Sequence, residues 1–288
     1  MDGSDRYPLF SPDGRYLAFV SVRALVADDT NGLADVYVYD RGTRTVERVS
    51  ESSTGGQAHG ASSSPRITPD GRYVVFDSIA PDLVADDTNG VRDAFRHDRL
   101  TGETLRLSVS SAGQEGHGAS TDPRISDDGT RVAFLSAAFD LVADDANGAI
   151  DVLVRDLAAG TTTRVNVSPL GGDADLGASD PAISGDGRFV AFASAATNLV
   201  VGDTNAVTDV FVRDLAGATT SRVSLASTGG AESLTLDLVP PNVGARIYPH
   251  ARRFAWNEVD APMSYGFGTP AAEQMPTGLA ALFSQPWQ

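Results

Sequence analysis

The feature that most constrains this chain is a long internal repeat. The segment SPDGRYLAFVS, Ser11 to Ser21, returns as TPDGRYVVFDS (Thr68 to Ser78), SDDGTRVAFLS (Ser126 to Ser136) and SGDGRFVAFAS (Ser184 to Ser194). The glycines of their Asp-Gly pairs, Gly14, Gly71, Gly129 and Gly187, are 57, 58 and 58 residues apart. A second block, LVADDTNGLADVYVYD from Leu25, recurs from Leu83, Leu141 and Leu199 at a spacing of 58. A period this regular means that one supersecondary unit is stacked on copies of itself.

Within a unit the apolar runs are of strand length and are separated by turn residues. In the second unit the pattern predicts strands over Ser64 to Thr68, Arg72 to Ser78, Asp93 to Asp98 and Thr104 to Ser110, with an Asp-Gly hairpin turn between the first two. Both faces of Tyr73-Val74-Val75-Phe76 and of Val36-Tyr37-Val38-Tyr39 are apolar, whereas a sheet with one wet face alternates with charge. A four-stranded antiparallel blade packed between two neighbours needs this pattern. The expected fold is therefore all-β, a β-propeller of four-stranded antiparallel blades of about 58 residues, whose completeness in four units stays open. Leu25, Leu83, Leu141 and Leu199 are expected to plug the loops that follow them.

The repeats are assigned to residues 1–234. Beyond about Thr235 no fifth Asp-Gly turn falls in register, and 235–288 reads as a divergent last blade, a cap or a nonhomologous disordered tail.

The opening hairpin Pro65-Arg66-Ile67-Thr68-Pro69-Asp70-Gly71-Arg72-Tyr73-Val74-Val75-Phe76, matched from Pro123 to Phe134 and Pro181 to Phe192, resembles the WD40-like (PD40-type) repeats of bacterial TolB-type propellers. The resemblance covers roughly residues 7 to 234 and implies the blade fold. It implies little about activity, because that superfamily includes scaffolds and peptidase-attached propellers alike. These units are longer than typical TolB repeats, and the added length lies in the acidic loop.

Each of those loops carries the frame Asp-x-Asn-x-x-x-Asp: Asp29, Asn31 and Asp35; Asp87, Asn89 and Asp93; Asp145, Asn147 and Asp151; Asp203, Asn205 and Asp209. Oxygen ligands at alternate positions of a bent loop are the set a hard cation such as calcium requires, and calcium at up to four sites is the expected cofactor. The competing reading is a metal-free loop whose Asp and Asn cap their own backbone through Asx turns. In the fourth loop Gly202 and Ala206 replace the Asp and Gly of the others, so binding is expected to be weakest there.

Composition narrows the chemistry. The net charge is −16, which excludes nucleic acid as the main partner, and there is no Cys. All 22 basic residues are Arg, so lysine Schiff-base and P-loop chemistry are absent. No stretch is apolar enough to span a membrane, and MDGSDRYPLF is not a secretory signal, although the family resemblance and the loop chemistry suggest an exported ancestor. His59 and His117 recur with the repeat, His97 reads as a surface strand position, and the Arg155-Asp156 and Arg213-Asp214 neighbours read as blade salt bridges or solvated strand ends. With no nucleophile or base singled out, the chain is expected to be a noncatalytic scaffold or binding module for a protein or glycan. The rivals are a propeller-fold enzyme, such as a metal-assisted lyase or hydrolase, and a nonfunctional fragment of a longer secreted propeller. A single nonrepeated cluster of His, Asp and Arg converging on the axis would favour the enzyme, and equivalent residues in every blade a scaffold or structural metal.

Overall fold

The computed structural model describes residues 5–225; the readings made for the stretch from Thr235 onward lie outside the described residues. Four sheets follow one another along the chain, each of four antiparallel strands in sequence order. The first holds β1 (Arg6–Phe10), β2 (Tyr16–Ser21), β3 (Asp35–Asp40) and β4 (Thr45–Arg48). The second holds β5 (Ser62–Ile67), β6 (Tyr73–Ser78), β7 (Asp93–Asp98) and β8 (Glu103–Arg106). The third holds β9 (Ser120–Ile125), β10 (Arg131–Ser136), β11 (Asp151–Asp156) and β12 (Thr161–Arg164), and the fourth β13 (Ala178–Ile183), β14 (Phe189–Ser194), β15 (Asp209–Asp214) and β16 (Thr219–Arg222). The all-β expectation and the blade as repeating unit are both met.

The hairpin between the first two strands of a blade is longer than a two-residue turn. The Gly14 amide donates to the Ser11 carbonyl, and only the glycine takes positive φ, 71° at Gly14 and 75° at Gly71. The side chain of Asp13 accepts from the Ser11 hydroxyl and the Arg15 amide, which fixes the turn through bonds local in sequence. Glycine is required at this position for a second reason. A Cβ on Gly71 would meet the Tyr16 ring of the preceding blade at 2.2 Å, and one on Gly129 would meet Tyr73 at the same distance.

The opening strands are bulged. Pairing slips between Ser63 and Arg66, and at the matching places in β9 and β13. The residue before each repeated proline (Tyr7, Ser64, Asp122, Asp180) has positive φ of 51° to 54°. A non-glycine residue there is strained, and at Asp122 a bond from its amide to Asp77 of the preceding blade holds it.

Blades meet face to face. Phe76 and Phe95 of the second blade enter a cluster with Ala18, Val36, Val38 and Val49 of the first. Phe134 and Leu153 of the third meet Val75, Ala94 and Leu107 of the second, and Phe192 and Phe211 of the fourth meet Ala133, Val152, Val154 and Val165 of the third. One face of each blade is thus small and β-branched, and the other carries bulky rings. Leu83, Leu141 and Leu199 are buried in these contacts, but Leu25 is 40% exposed, because no described blade precedes it. The loop-plug reading therefore holds for three of its four leucines.

Candidate functional site

All four acidic loops lie at one end of the blades, since in each antiparallel meander the loop from second to third strand and the connector to the next blade share an end. In each, the Asn does two things. Its side-chain oxygen accepts from the backbone two residues on (Leu33, Val91, Ala149, Val207), which closes an Asx turn. Its amide nitrogen donates to the last Asp of the frame, at 3.0 Å for Asn31 to Asp35 and 2.9 Å for Asn89 to Asp93. That Asp is also bonded by a Ser or Asn two residues beyond the fourth strand: Ser50, Ser108, Asn166 and Ser224.

The position a cation would need is held by a guanidinium. Arg106, at the end of β8, bonds Glu115 at 2.8 Å and lies 3.4 Å from Asp87 and 3.7 Å from Asp93. Arg164 lies 3.4 Å from Asp145 and 3.3 Å from Asp151 and also pairs with Asp173. Arg222 bonds Asp203 at 2.8 Å and Asp209 at 3.1 Å. In the first blade Arg48 turns to Asp28 at 2.7 Å, and Asp29 is held by the Tyr37 hydroxyl and the Gln57 amide. Among the described residues no group of three or more His, Asp or Glu side chains is arranged to hold a metal ion. The expectation of calcium is corrected accordingly: the amide oxygens are spent on Asx turns, and the carboxylates on arginine in three blades and on Tyr37, Gln57, Asn31 and Ser50 in the first. An arginine gives the loop fixed positive charge without any ligand.

Three acids around one guanidinium leave excess negative charge. Burial, then Asp93, pushes Asp87 up to about 6, and burial likewise raises Asp35, Asp93 and Asp145. Asp209 shifts the other way. Burial raises it, but bonds from Ser224, Asn205 and Arg222 outweigh that, and in sequence Ala231 stands where Glu115 and Asp173 stand. The sequence held the missed signal, because Arg48, Arg106, Arg164 and Arg222 recur at the repeat spacing of 58.

At the opposite end the ion pairs join different partners from the adjacent residues expected. Asp40 pairs with Arg15, Asp98 with Arg72, Asp156 with Arg131 and Asp214 with Arg188, each arginine coming from the start of the second strand. Antiparallel pairing places Tyr16 opposite Asp40 and Tyr73 opposite Asp98, which brings the preceding arginine within reach. His97 is also corrected. It is buried against Thr104, which its Nδ1 approaches at 2.9 Å, and burial pushes its pKa down to about 4. His59 and His117 are exposed and pair with Asp82 and Asp140.

One charged cluster is not repeated. Asp77, buried, accepts from Arg92 at 2.7 Å, from the Ser63 hydroxyl at 2.5 Å and from the Asp122 amide of the next blade at 3.1 Å. Val20, Leu135 and Ala193 occupy the corresponding positions elsewhere. The arrangement locks the second blade to the third and leaves neither oxygen of Asp77 without a donor.

No family model and no curated protein matches this chain. Among solved structures it is similar to TolB from Acinetobacter baumannii, at 19% identity and a TM-score of 0.46, over 76% of this chain and 43% of that one. It is similar to a putative TolB from Agrobacterium tumefaciens at 17% identity and a TM-score of 0.46, over 77% of this chain and 64% of that one. An oligogalacturonate lyase in complex with manganese is matched at 14% identity and a TM-score of 0.45, over 74% of this chain and 50% of that one. The chain therefore spans less than two thirds of each of these structures.

Proposed function

We propose that the chain is a noncatalytic propeller-type scaffold whose acidic-loop end recognises a protein ligand. The observation that supports this is the distribution of exposed apolar side chains. Of sixteen large hydrophobic residues exposed among the described residues, ten lie in the acidic loops or blade connectors: Val22, Leu25, Leu33, Ile79, Phe139, Ile150, Leu170, Leu176, Val201 and Val207. At the opposite end three are of this kind, Phe10, Leu100 and Phe189. Apolar groups interspersed with acid loops suit a partner surface that is apolar and basic, and the loop ends of a rigid fold are where recognition is usually carried. Phe139, stacked on His117 with ring centroids 6.5 Å apart, gives that end a rigid aromatic platform.

The enzyme reading is supported by the nonrepeated Asp77, Arg92 and Asp122 cluster. We place it second because a carboxylate with every oxygen engaged by donors is a poor general base without rearrangement. For export, the loops no longer supply the calcium argument. Among the described residues no helix is long and apolar enough to cross a membrane.

The test uses the full chain against arrays of basic peptides and of glycans, with Phe139→Ala and Leu170→Ser variants. Peptide binding that weakens at least tenfold in these variants, at unchanged melting temperature, supports the reading. Binding of glycans alone replaces the ligand class. Turnover of any polysaccharide or peptide substrate that Asp77→Asn abolishes in a folded variant overturns the noncatalytic assignment.

A further inference from the structure

The three contacts between successive blades follow one pattern, and among the described residues each end blade carries a half of it that no other blade meets. Toward the next blade, each blade offers alanine and aliphatic residues without rings: Ala18, Val36, Val38 and Val49 in the first, Val75, Ala94 and Leu107 in the second, and Ala133, Val152, Val154 and Val165 in the third. The corresponding residues of the fourth blade are Ala191, Val210, Val212 and Val223. Val223 is 43% exposed, whereas its counterparts Val49, Leu107 and Val165 are at 1%, 0% and 0%. Toward the preceding blade, the second and fourth blades offer a stacked ring pair, Phe76 on Phe95 at 5.8 Å and Phe192 on Phe211 at 5.7 Å. The first blade has the same pair, Phe19 on Tyr37 at 5.9 Å, with Leu17 and Phe19 only half-buried and Phe10 exposed.

The turn glycines show the same missing half. Tyr16 covers Gly71 and Tyr73 covers Gly129 in the neighbouring blade. Phe189, the fourth member of that series, is 38% exposed, and among the described residues a Cβ on Gly14 would meet only Arg41 of its own blade. Among the described residues each end face therefore lacks what the other end of the same chain presents.

We propose that two copies of this chain associate head to tail, the fourth blade of each seating on the first blade of the other, so that eight blades close into one ring. The interface reproduces the contact already made three times within the chain: Leu17 and Phe19, backed by the buried Tyr37 ring, pack on Ala191, Val210 and Val212, and Phe189 covers Gly14. Two such contacts related by a twofold axis satisfy both ends of both copies, and eight blades lie within the range in which propellers close. A contact of this head-to-tail type that failed to close would instead grow into a filament.

The experiment is sedimentation of the full chain at micromolar concentration, with Leu17→Asp on the first-blade face and Ala191→Arg on the fourth-blade face. Circular dichroism melting verifies that both variants are folded. The wild-type chain is expected at twice the monomer mass, each variant alone at half of that, and an equimolar mixture of the two again at the dimer mass. In the mixture one contact is unaltered and the other opposes Arg to Asp. A monomeric wild type overturns the proposal, whether residues 226–288 or nothing covers the faces. So does loss of the dimer with Ala191→Arg but not with Leu17→Asp, since that pattern belongs to a fourth-blade face packed on its own copy. A folded mixture that stays monomeric, or a wild-type mass that climbs past the dimer with concentration, overturns head-to-tail closure.

Discussion

The two ends of each blade use the same residue types to opposite effect. At the turn end one arginine meets one aspartate through two bonds. In the second blade Arg72 reaches both oxygens of Asp98, at 3.0 and 2.8 Å, and that bonding holds Asp98 down at about 2. At the loop end of the same blade one arginine serves Asp87, Asp93 and Glu115, and burial with mutual repulsion drives Asp87 up to about 6. A matched pair near water keeps its carboxylate ionised, whereas a shared cation in a buried site leaves carboxylates competing for it. The loop end is thus held by a network that fails if its one cation is removed, and the turn end by pairs that can be lost singly.

The largest expected effect follows from that difference. Arg106→Ala leaves Asp87, Asp93 and Glu115 without their guanidinium and is expected to cost about 3–5 kcal/mol, the usual penalty for breaking a buried ion pair from one side. Denaturant unfolding at pH 7 measures it, and a loss no larger than that of Arg72→Ala would erase the distinction between the two ends. Much of the stability should return at low pH, where the orphaned acids take up protons.

The next effect depends on pH. The unfolded chain protonates His97 near 6.5, and the folded chain does so only near 4. Stability from this residue is therefore complete above pH 6.5 and is lost as the pH falls toward 4, by about 3 kcal/mol for a shift of this size. His97→Asn should flatten that part of the stability profile, and an unchanged slope would contradict the burial assigned to this ring.

Arg72→Ala probes the turn end directly. Its guanidinium is partly exposed, so the expected loss is small and shrinks further in high salt. The smallest expected effect is none: calcium or a chelator should leave the melting temperature unchanged, because the loop carboxylates are already engaged by arginine, by the Asn and Gln amides and by hydroxyls. A calcium-dependent rise in melting temperature that Asp87→Ala removes would reverse the correction made for those loops.

Much of this was legible in the residues. The 58-residue spacing, the Asp-Gly turns and the strands over Asp93 to Asp98 needed only local pattern, because hairpins and pleat alternation are set by neighbours in sequence. The acidic frame was also visible, but its chemistry was not. The frame spans seven residues, whereas the arginine that answers it lies thirteen residues past the last Asp, on another strand. His97 was misplaced for a related reason: its partner Thr104 and the blade face covering it come from elsewhere in the fold.

By itself the sequence determined the repeat, the class of fold and the two-faced apolar strands, since periodicity of side chains fixes which surfaces must be buried. Only the tertiary structure decided what engages the loop carboxylates, that Asp98 pairs with Arg72 just before β6, and that Leu25 lacks the cover its three counterparts have among the described residues. These outcomes depend on distances between strands and blades, and charge and burial act through space, where residues far apart along the chain become neighbours.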